Sequence, residues 1–265
     1  MNPAVPTRLT FARGFTLTEL AIVLLIVFLL IGGLLVPFAA QIDLQRSSDT
    51  RKTMDEIREA LIGFAATTGR LPCPAADGAT GVEDPNTGSG LCNTPYGGFV
   101  PGIALGLSTL DSQGYVLDAW GRRIRYAVST ANANAYTKPG GMRAQTMTGL
   151  QPDLRICSSA ATMDQAGTAL AKCNSDDLTN TLTNGAVAVI YSLGKNAAEG
   201  GTSTDERHNP NVIASGNPAY VAPDRAFVSH DPAPKDAPNG EFDDIVIWLS
   251  PNILYNRMIA AGQLP

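Results

Sequence analysis

The sequence has little charge and almost no histidine. Of its 265 residues, 16% are charged and two are histidine, and 24 acidic residues outnumber 19 Lys and Arg, giving a net charge of −5. Scattered basic residues in an acidic chain give no electrostatic footprint for nucleic acid. Neither His208 nor His230 lies in an HExxH motif, and the sequence has no GxSxG elbow and no P-loop. The sequence therefore predicts a protein that is not an enzyme and requires no cofactor.

The N-terminal region contains one long uncharged run. Residues 20–40 include no charged side chain, and a helix of that length rises roughly 30 Å, enough to cross a bilayer core. Arg8 and Arg13 precede the run, which predicts a single-pass helix with its N-terminus in the cytoplasm. A plain signal anchor and a buried core helix are alternatives, and a cleaved secretory signal is disfavoured because the run is long and continues into a helix-like polar segment.

An acidic residue, Glu19, lies at the start of this region. A carboxylate near hydrocarbon costs about 2.5–3.5 kcal/mol, so it should have a partner. The segment Arg13-Gly14-Phe15-Thr16-Leu17-Thr18-Glu19-Leu20 resembles the processing signal of type IV pilins and type II secretion pseudopilins. The resemblance implies that prepilin peptidase cuts between Gly14 and Phe15 and N-methylates Phe15. It also implies that Glu19 pairs with the new amine and fixes the subunit register in a filament.

After the apolar run, the sequence predicts a helix that continues to Thr68, followed by a sheet. Gly69 and Pro72 are placed to end the helix. Its buried stripe follows three- and four-residue steps: Met54, Ile57, Leu61, and Phe64 or Ala65. Five candidate strands, at residues 124–129, 155–157, 186–192, 226–229 and 245–249, are separated by turn-rich segments, which favours antiparallel pairing.

The end of the chain predicts a short helix. Ser250 is a candidate N-cap and Pro251 suits the first helical position, with Leu254, Met258 and Ile259 on the buried side. The expected fold is α+β, in which a long N-terminal helix with a transmembrane half and an amphipathic half packs on an antiparallel sheet with disulfide-stapled loops. The expected divisions are a leader peptide at 1–14, a transmembrane and assembly helix at 15–40, an amphipathic continuation at 41–69 and a periplasmic globular pilin-like head at 70–265.

Four cysteines fit two disulfides in an oxidising compartment. Three pairings are open, and the local pairs Cys73–Cys92 and Cys157–Cys173 are favoured because each closes a hydrophilic loop that needs a restraint. A zinc site made of all four is the alternative, but the sequence has no Cys-x-x-Cys doublet.

A second resemblance lies in the C-terminal half. The motifs Asp118-Ala119-Trp120-Gly121, Ile124-x-Tyr126, Tyr191-Ser192-Leu193-Gly194, Gly200-Gly201 and Asp243-Asp244-Ile245 with Trp248 are similar in order to those of major type II secretion pseudopilins. The resemblance implies a Ca²⁺-binding loop, with Asp244 as the first candidate ligand and Asp243 as the second. The alternative is that both aspartates only end a loop before a central strand.

Together these patterns predict a structural subunit, a minor pilin or pseudopilin, of a type IV pilus or type II secretion filament. The expected location is the bacterial inner membrane, with a periplasmic C-terminal domain. The expected partners are prepilin peptidase, other pilin or pseudopilin subunits and the inner-membrane assembly platform. One alternative is a pilus-tip adhesin or DNA-uptake subunit that binds through loops 72–102 and 199–240, and nucleic acid is expected as a partner only in that case. Another is an unprocessed, membrane-anchored periplasmic protein.

Overall fold

The chain forms two units that are described separately. The computed structural model describes residues 15–78, 80–85, 89–164, 172–173, 180–198, 201, 203–209 and 225–264; within these ranges the side chains of 32–40, 162, 164 and 172 are not described. Contacts divide the chain into Met1–Gln45 and Arg46–Pro265, the second of which is called the globular unit below. The predicted leader peptide at 1–14, including Gly14, lies outside the described residues.

Helix α1 (Leu17–Thr68) is the longest element of the chain. The prediction that its first half spans a membrane is wrong, because no helix in the described part of the chain is long and apolar enough to do so. This finding also overturns the predicted single-pass location in the inner membrane.

The second half of α1 is amphipathic, as its spacing predicts. Met54, Ile57, Leu61 and Ala65 are fully buried in the main hydrophobic cluster, because residues three or four apart share one face of a helix. Charged residues on the other face are exposed or half-buried. The helix ends where the sequence predicts: the Gly69 N–H donates to Ala65 O (2.9 Å), and Gly69 has a φ of 75°, which glycine adopts without strain.

The main sheet of the globular unit is antiparallel. Its strands, in the order in which they are hydrogen-bonded, are β1 (Gly98–Phe99), β2 (Arg125–Val128), β7 (Ala188–Ser192) and β9 (Ile245–Leu249). Tyr126, Val128 and Ile190 share a cluster with the buried stripe of α1, whereas Ala127 and Val189 lie in a second cluster. Because successive side chains of a strand point to opposite faces, the sheet is covered on both sides.

A second sheet covers the face opposite the helix. Its strands, in the order β6-β3-β8, are β6 (Thr181–Ala186), β3 (Leu154–Cys157) and β8 (Ala226–Val228). Strand β3 pairs antiparallel with β6 and parallel with β8. Strands β4 (Met163–Asp164) and β5 (Lys172–Cys173) pair with each other and form a two-stranded antiparallel ribbon. The globular unit is therefore an α+β arrangement of three layers: helix, antiparallel sheet and small mixed sheet.

The described part of the chain also contains the short helices α2 (Ala131–Asn134), α3 (Thr204–His208) and α4 (Pro251–Ala260), together with a 3-10 turn at Ala160–Thr162. Helix α4 begins at Pro251 as predicted, although the Ser250 side chain forms no capping hydrogen bond, and it buries Leu254 and Met258. The prediction for Ile259 is wrong, since it is 45% exposed and Tyr255 is buried instead. The Tyr255 hydroxyl donates to Leu150 O (3.0 Å) and lies 2.7 Å from the Tyr136 hydroxyl. These polar contacts draw Tyr255 to the inner face of the helix.

Both local disulfides are present. Cys73 is bonded to Cys92 and Cys157 to Cys173, and no described cysteine is free. The first closes the loop that leads from α1 to β1, and the second joins β3 to the β4–β5 ribbon. The loops of the globular unit are therefore restrained at the two places that the sequence predicts.

Candidate functional site

Two regions have features that the fold alone does not require: the N-terminal end of α1 and a group of acidic residues in the globular unit.

The N-terminal region is apolar and uncovered. From residue 15 to residue 31 every side chain is exposed, including Phe15 (85%) and Leu29 (69%). Residues 15–31 are called the apolar segment below. A contiguous exposed apolar surface of this kind marks an interaction site.

Glu19 has a partner that the sequence analysis did not foresee. The Thr16 N–H and the Thr16 hydroxyl each donate to Glu19 Oε2 (2.9 Å), and the Glu19 N–H donates to Thr16 Oγ1 (3.2 Å). This is a capping box, in which the residue before the helix and the third helical residue satisfy each other's backbone groups. These hydrogen bonds hold the pKa of Glu19 below its ordinary value. Glu19 and Thr16 therefore cap the start of the helix together, and the predicted contact of Glu19 with an N-terminal amine stays a prediction.

The second region is an acidic cluster formed by Glu206, Asp243 and Asp244. One carboxylate oxygen from each lies within 4.8 Å of the other two. Helix α3 supplies Glu206, and the loop before β9 supplies the two aspartates. Glu206 is 1% and Asp244 4% exposed. The two predicted candidates are thus brought together with a third carboxylate.

Local hydrogen bonds fix Glu206 and Asp243. The Ser203 hydroxyl accepts from the Glu206 N–H (3.1 Å) and caps α3. Glu206 Oε1 accepts from Asn196 Nδ2 (2.9 Å) and from the Asp243 N–H (3.1 Å). Asp243 Oδ2 accepts from the backbone N–H groups of Lys195 and Asn196 (3.1 Å each). Glu206 is therefore directly tied to the loop that carries the aspartates.

Asp244 is held separately, by Asn209. Asn209 Nδ2 donates to Asp244 Oδ2 (2.7 Å) and to Val228 O (3.1 Å), and Asn209 Oδ1 accepts from the Val228 N–H (2.8 Å). Asn209 is itself fully buried. The cluster is thus built on the ends of β8 and β9, and its geometry depends on the packed sheets.

The two aspartates of the cluster have no counter-charge among the described residues. Asp243 and Asp244 form no ion pair with any residue that the structure describes. Burial raises the pKa of Asp243 to about 6, and the neighbouring Glu206 contributes to the shift. Burial likewise raises the pKa of Asp244 well above its ordinary value, with smaller contributions from Glu206 and Asp243. Ionising all three carboxyls together is unfavourable without a cation.

The donor set fits a hard cation. Asp243 Oδ1 is buried and accepts no hydrogen bond from the residues that the structure describes, so one oxygen is left for a ligand. Oxygens bound to one Ca²⁺ at 2.3–2.6 Å are at most about 5 Å apart, which matches the spacing of the cluster. Glu206 was missed by the sequence analysis, although Ser203-Thr204-Asp205-Glu206 has the S-x-x-E pattern of a capping box that could have placed it on a helix.

The other motifs of the second resemblance support the fold of this region. Asp118 Oδ1 accepts from the backbone N–H groups of Trp120 and Arg122, and Asp118 Oδ2 accepts from the Ser192 hydroxyl (2.6 Å). Ser192 Oγ also accepts from the Gly194 N–H (3.2 Å). Asp118 thereby links the loop before β2 to the end of β7, and it does not belong to the acidic cluster.

The histidines do not form a nucleophilic triad with the neighbours that the structure describes. His230 Nε2 lies 3.3 Å from Asp205 Oδ2, and the Ser159 hydroxyl donates to Asp205 Oδ1 (3.1 Å). The carboxylate lies between the other two side chains, so the imidazole cannot take a proton directly from the serine. His208 is buried, which lowers its pKa to about 4. This group resembles a structural network more than a catalytic one.

The comparisons with known proteins identify no relative of this chain: no family model, no curated protein and no solved structure matches it.

Proposed function

We propose that this chain is a structural subunit of a type IV pilin-like filament, either a minor pilin or a pseudopilin. The apolar segment is the observation that carries the proposal. Its side chains are exposed on all sides of the helix, and an apolar surface of this extent is stabilised when another apolar surface covers it, by about 25 cal/mol per Å² buried. The equivalent segments of other subunits are the proposed cover.

The sequence around the segment supports this choice of partner. Phe15 and Glu19 stand at the positions that the pilin-like processing signal requires, at the exposed start of the helix. Cleavage before Phe15 would leave Thr16 and Glu19, and hence the capping box, in the mature chain. Glu19 would then be available to bind the positively charged amine of a neighbouring subunit, because a carboxylate can accept several hydrogen bonds at once.

The proposed partners are prepilin peptidase, other pilin or pseudopilin subunits and an assembly platform. An adhesin or DNA-uptake subunit at a pilus tip is the alternative, and it would use the same helix for assembly and the loops of the globular unit for binding. A deletion within loop 72–102 distinguishes the two roles. If the chain is a tip binder, the deletion should abolish attachment and leave filament formation intact. If it is only a structural subunit, attachment should not change.

The processing step tests the proposal. The chain is expressed with and without a prepilin peptidase, and the mass of its N-terminal peptide is measured. We expect loss of residues 1–14 and one methyl group on Phe15, only when the peptidase is present. A Gly14→Ala variant should be processed poorly, and a Pro3→Ala variant, which changes the leader away from the cut, should be processed normally. A chain that keeps its first 14 residues in the presence of active peptidase would overturn the proposal.

Calcium binding by the acidic cluster is a second proposed function, supported by the buried Oδ1 of Asp243, which accepts no hydrogen bond from any described residue. Glu206, Asp243 and Asp244 would hold the ion, and the ion would balance their charge and restrain the loop before β9. Isothermal titration of the full chain with CaCl₂ should show binding that is weakened at least about tenfold in Glu206→Gln, which loses one charged ligand. Asp236→Asn, an exposed aspartate outside the cluster, is the control. Equal affinity for Ca²⁺ in the native chain and Glu206→Gln would rule out this site.

A further inference from the structure

A cavity on the globular unit is lined by three arginines from one stretch of chain. It has a volume of about 280 Å³, and its walls are formed by Phe99, Gly121, Arg122, Arg123, Arg125, Leu193 and Ala197. It lies beside strands β1 and β2. This group is called the arginine cavity, and neither the processing signal nor the acidic cluster involves it.

Arg125 is the most deeply placed of the three. It lies on β2 opposite Phe99 of β1, and it is 5% exposed. Its Nη1 donates to Gly97 O (2.8 Å), and its guanidinium lies 4.6 Å from the centre of the Phe99 ring. No carboxylate in the described part of the chain forms an ion pair with it. A buried cation of this kind is costly unless a counter-charge reaches it.

The other two arginines differ in how they are balanced. Arg123 pairs with Asp111 (3.1 Å) and Asp77 (3.5 Å) and lies 4.0 Å from the centre of the Tyr115 ring. Arg122 is exposed, and its side chain forms no ion pair with the residues that the structure describes. Among the described residues, Arg125 therefore has no paired carboxylate, and Arg122 interacts electrostatically with Asp118 without forming an ion pair with it.

We propose that the arginine cavity binds a small organic anion, a carboxylate or a phosphate monoester attached to an apolar body. Arginine presents a planar fork of donors that matches both groups. Arg125 and Arg122 would bind the anionic group, while Phe99 and Leu193 would contact the apolar body. The volume is close to the lower end of the range for small-molecule pockets, about 300 Å³, which favours a compact ligand. This inference does not depend on filament assembly.

The test is calorimetric titration of the full chain with three probes of similar size. Benzoate carries a carboxylate, phenyl phosphate carries a phosphate monoester, and benzamide is the neutral analogue of benzoate. We expect one or both anions to bind and benzamide not to bind, and the stronger of the two anions identifies the preferred anionic group. Binding of benzamide as tight as that of benzoate, or no binding of either anion, would overturn the proposal.

Variants assign the binding to the named side chains. Arg122→Gln changes an exposed residue and should weaken anion binding about threefold or more, since it removes one charged donor. Arg125→Lys keeps the charge, loses the fork and should weaken binding about tenfold. Arg143→Gln removes the same charge from an exposed arginine outside the cavity and should bind as the native chain does. If Arg125→Lys does not fold, Arg122→Gln decides the matter: affinity equal to that of Arg143→Gln would contradict the assignment.

Discussion

Helix α1 contains two kinds of apolar surface. In residues 15–31 all side chains are exposed, whereas Met54, Ile57 and Leu61, farther along the same helix, are fully buried in the main cluster. The buried stripe alternates with charged positions and finds its cover within the chain. The apolar segment is apolar on all sides, and no single face of a small domain could cover it. The difference shows that one part of the helix is packed into the fold, and it supports the proposal that other subunits cover the other part.

The largest difference between the two parts of α1 is expected when one leucine in each part is replaced by alanine and the free energy of unfolding is measured. Leu61→Ala should lower the free energy of unfolding by about 2–5 kcal/mol, because it removes packed methyl groups and leaves a cavity. Leu29→Ala, at a 69% exposed position, should change it by less than about 0.5 kcal/mol. Urea unfolding of both variants measures the difference. A similar loss in the two would mean that the apolar segment is already covered within the chain.

A smaller effect on stability is expected in the globular unit, where the carboxyl group of Asp243 is partly buried. The pKa of Asp243 is raised to about 6, above its ordinary value of 3.8, so the folded chain holds this proton more tightly than the unfolded chain does. The stability that the protonated carboxyl contributes is fully present below about pH 4 and is lost as the pH rises through about 6. Because Asp243 is partly accessible to solvent, we expect a loss of only about 1 kcal/mol.

The variant Asp243→Asn isolates this contribution. In the presence of a chelator its free energy of unfolding should fall less between pH 4 and pH 7 than that of the native chain, because Asp243 no longer titrates whereas Asp244 still does, and at pH 7 it should be more stable than the native chain. Asp236→Asn, an exposed aspartate outside the cluster, is the matched control and should keep the native pH dependence. A native profile in Asp243→Asn would show that the excess negative charge lies elsewhere.

The smallest expected effect concerns backbone strain in α2. Asn132, Ala133 and Asn134 have φ values of 54°, 56° and 63°, and alanine adopts this left-handed region only at a cost. Ala133→Gly should therefore raise the free energy of unfolding by about 0.5 kcal/mol, the relief of strain being partly offset by the greater freedom of glycine in the unfolded chain. Ala66→Gly, in the regular part of α1, should lower it by about 1 kcal/mol. Destabilisation by both changes would contradict the argument.

Local patterns in the sequence predicted the parts of the fold that depend on nearby residues. The stripe from Met54 to Ala65, the strand at 245–249 and the helix start at Pro251 follow from spacing and capping, and both disulfides were predicted because each closes one loop. The prediction of a transmembrane half was wrong, because no helix in the described part of the chain is long and apolar enough to cross a membrane.

Residues that tertiary packing brings together were harder to predict. Asp243 and Asp244 are adjacent in sequence and were found, but Glu206 is separated from them by more than thirty residues and was missed. In the sequence, Arg125 is one polar position of a strand with alternating residues. Its contact with Phe99 depends on the pairing of β2 with β1, which the sequence does not show. Strand β6 was missed because its burial is low over most of its length, so no apolar pattern marks it.

Cross-linking between subunits tests the central claim most directly. A single cysteine is placed at Leu29 (69% exposed) or at Lys52 (side chain 72% exposed), two matched positions on α1. The full chain is coexpressed with a prepilin peptidase and a filament assembly system, then oxidised. The account predicts covalent dimers and larger species from Leu29→Cys and mainly monomer from Lys52→Cys. Equal yields from both, or monomer alone from Leu29→Cys, would contradict the claim that the apolar segment is the contact between subunits.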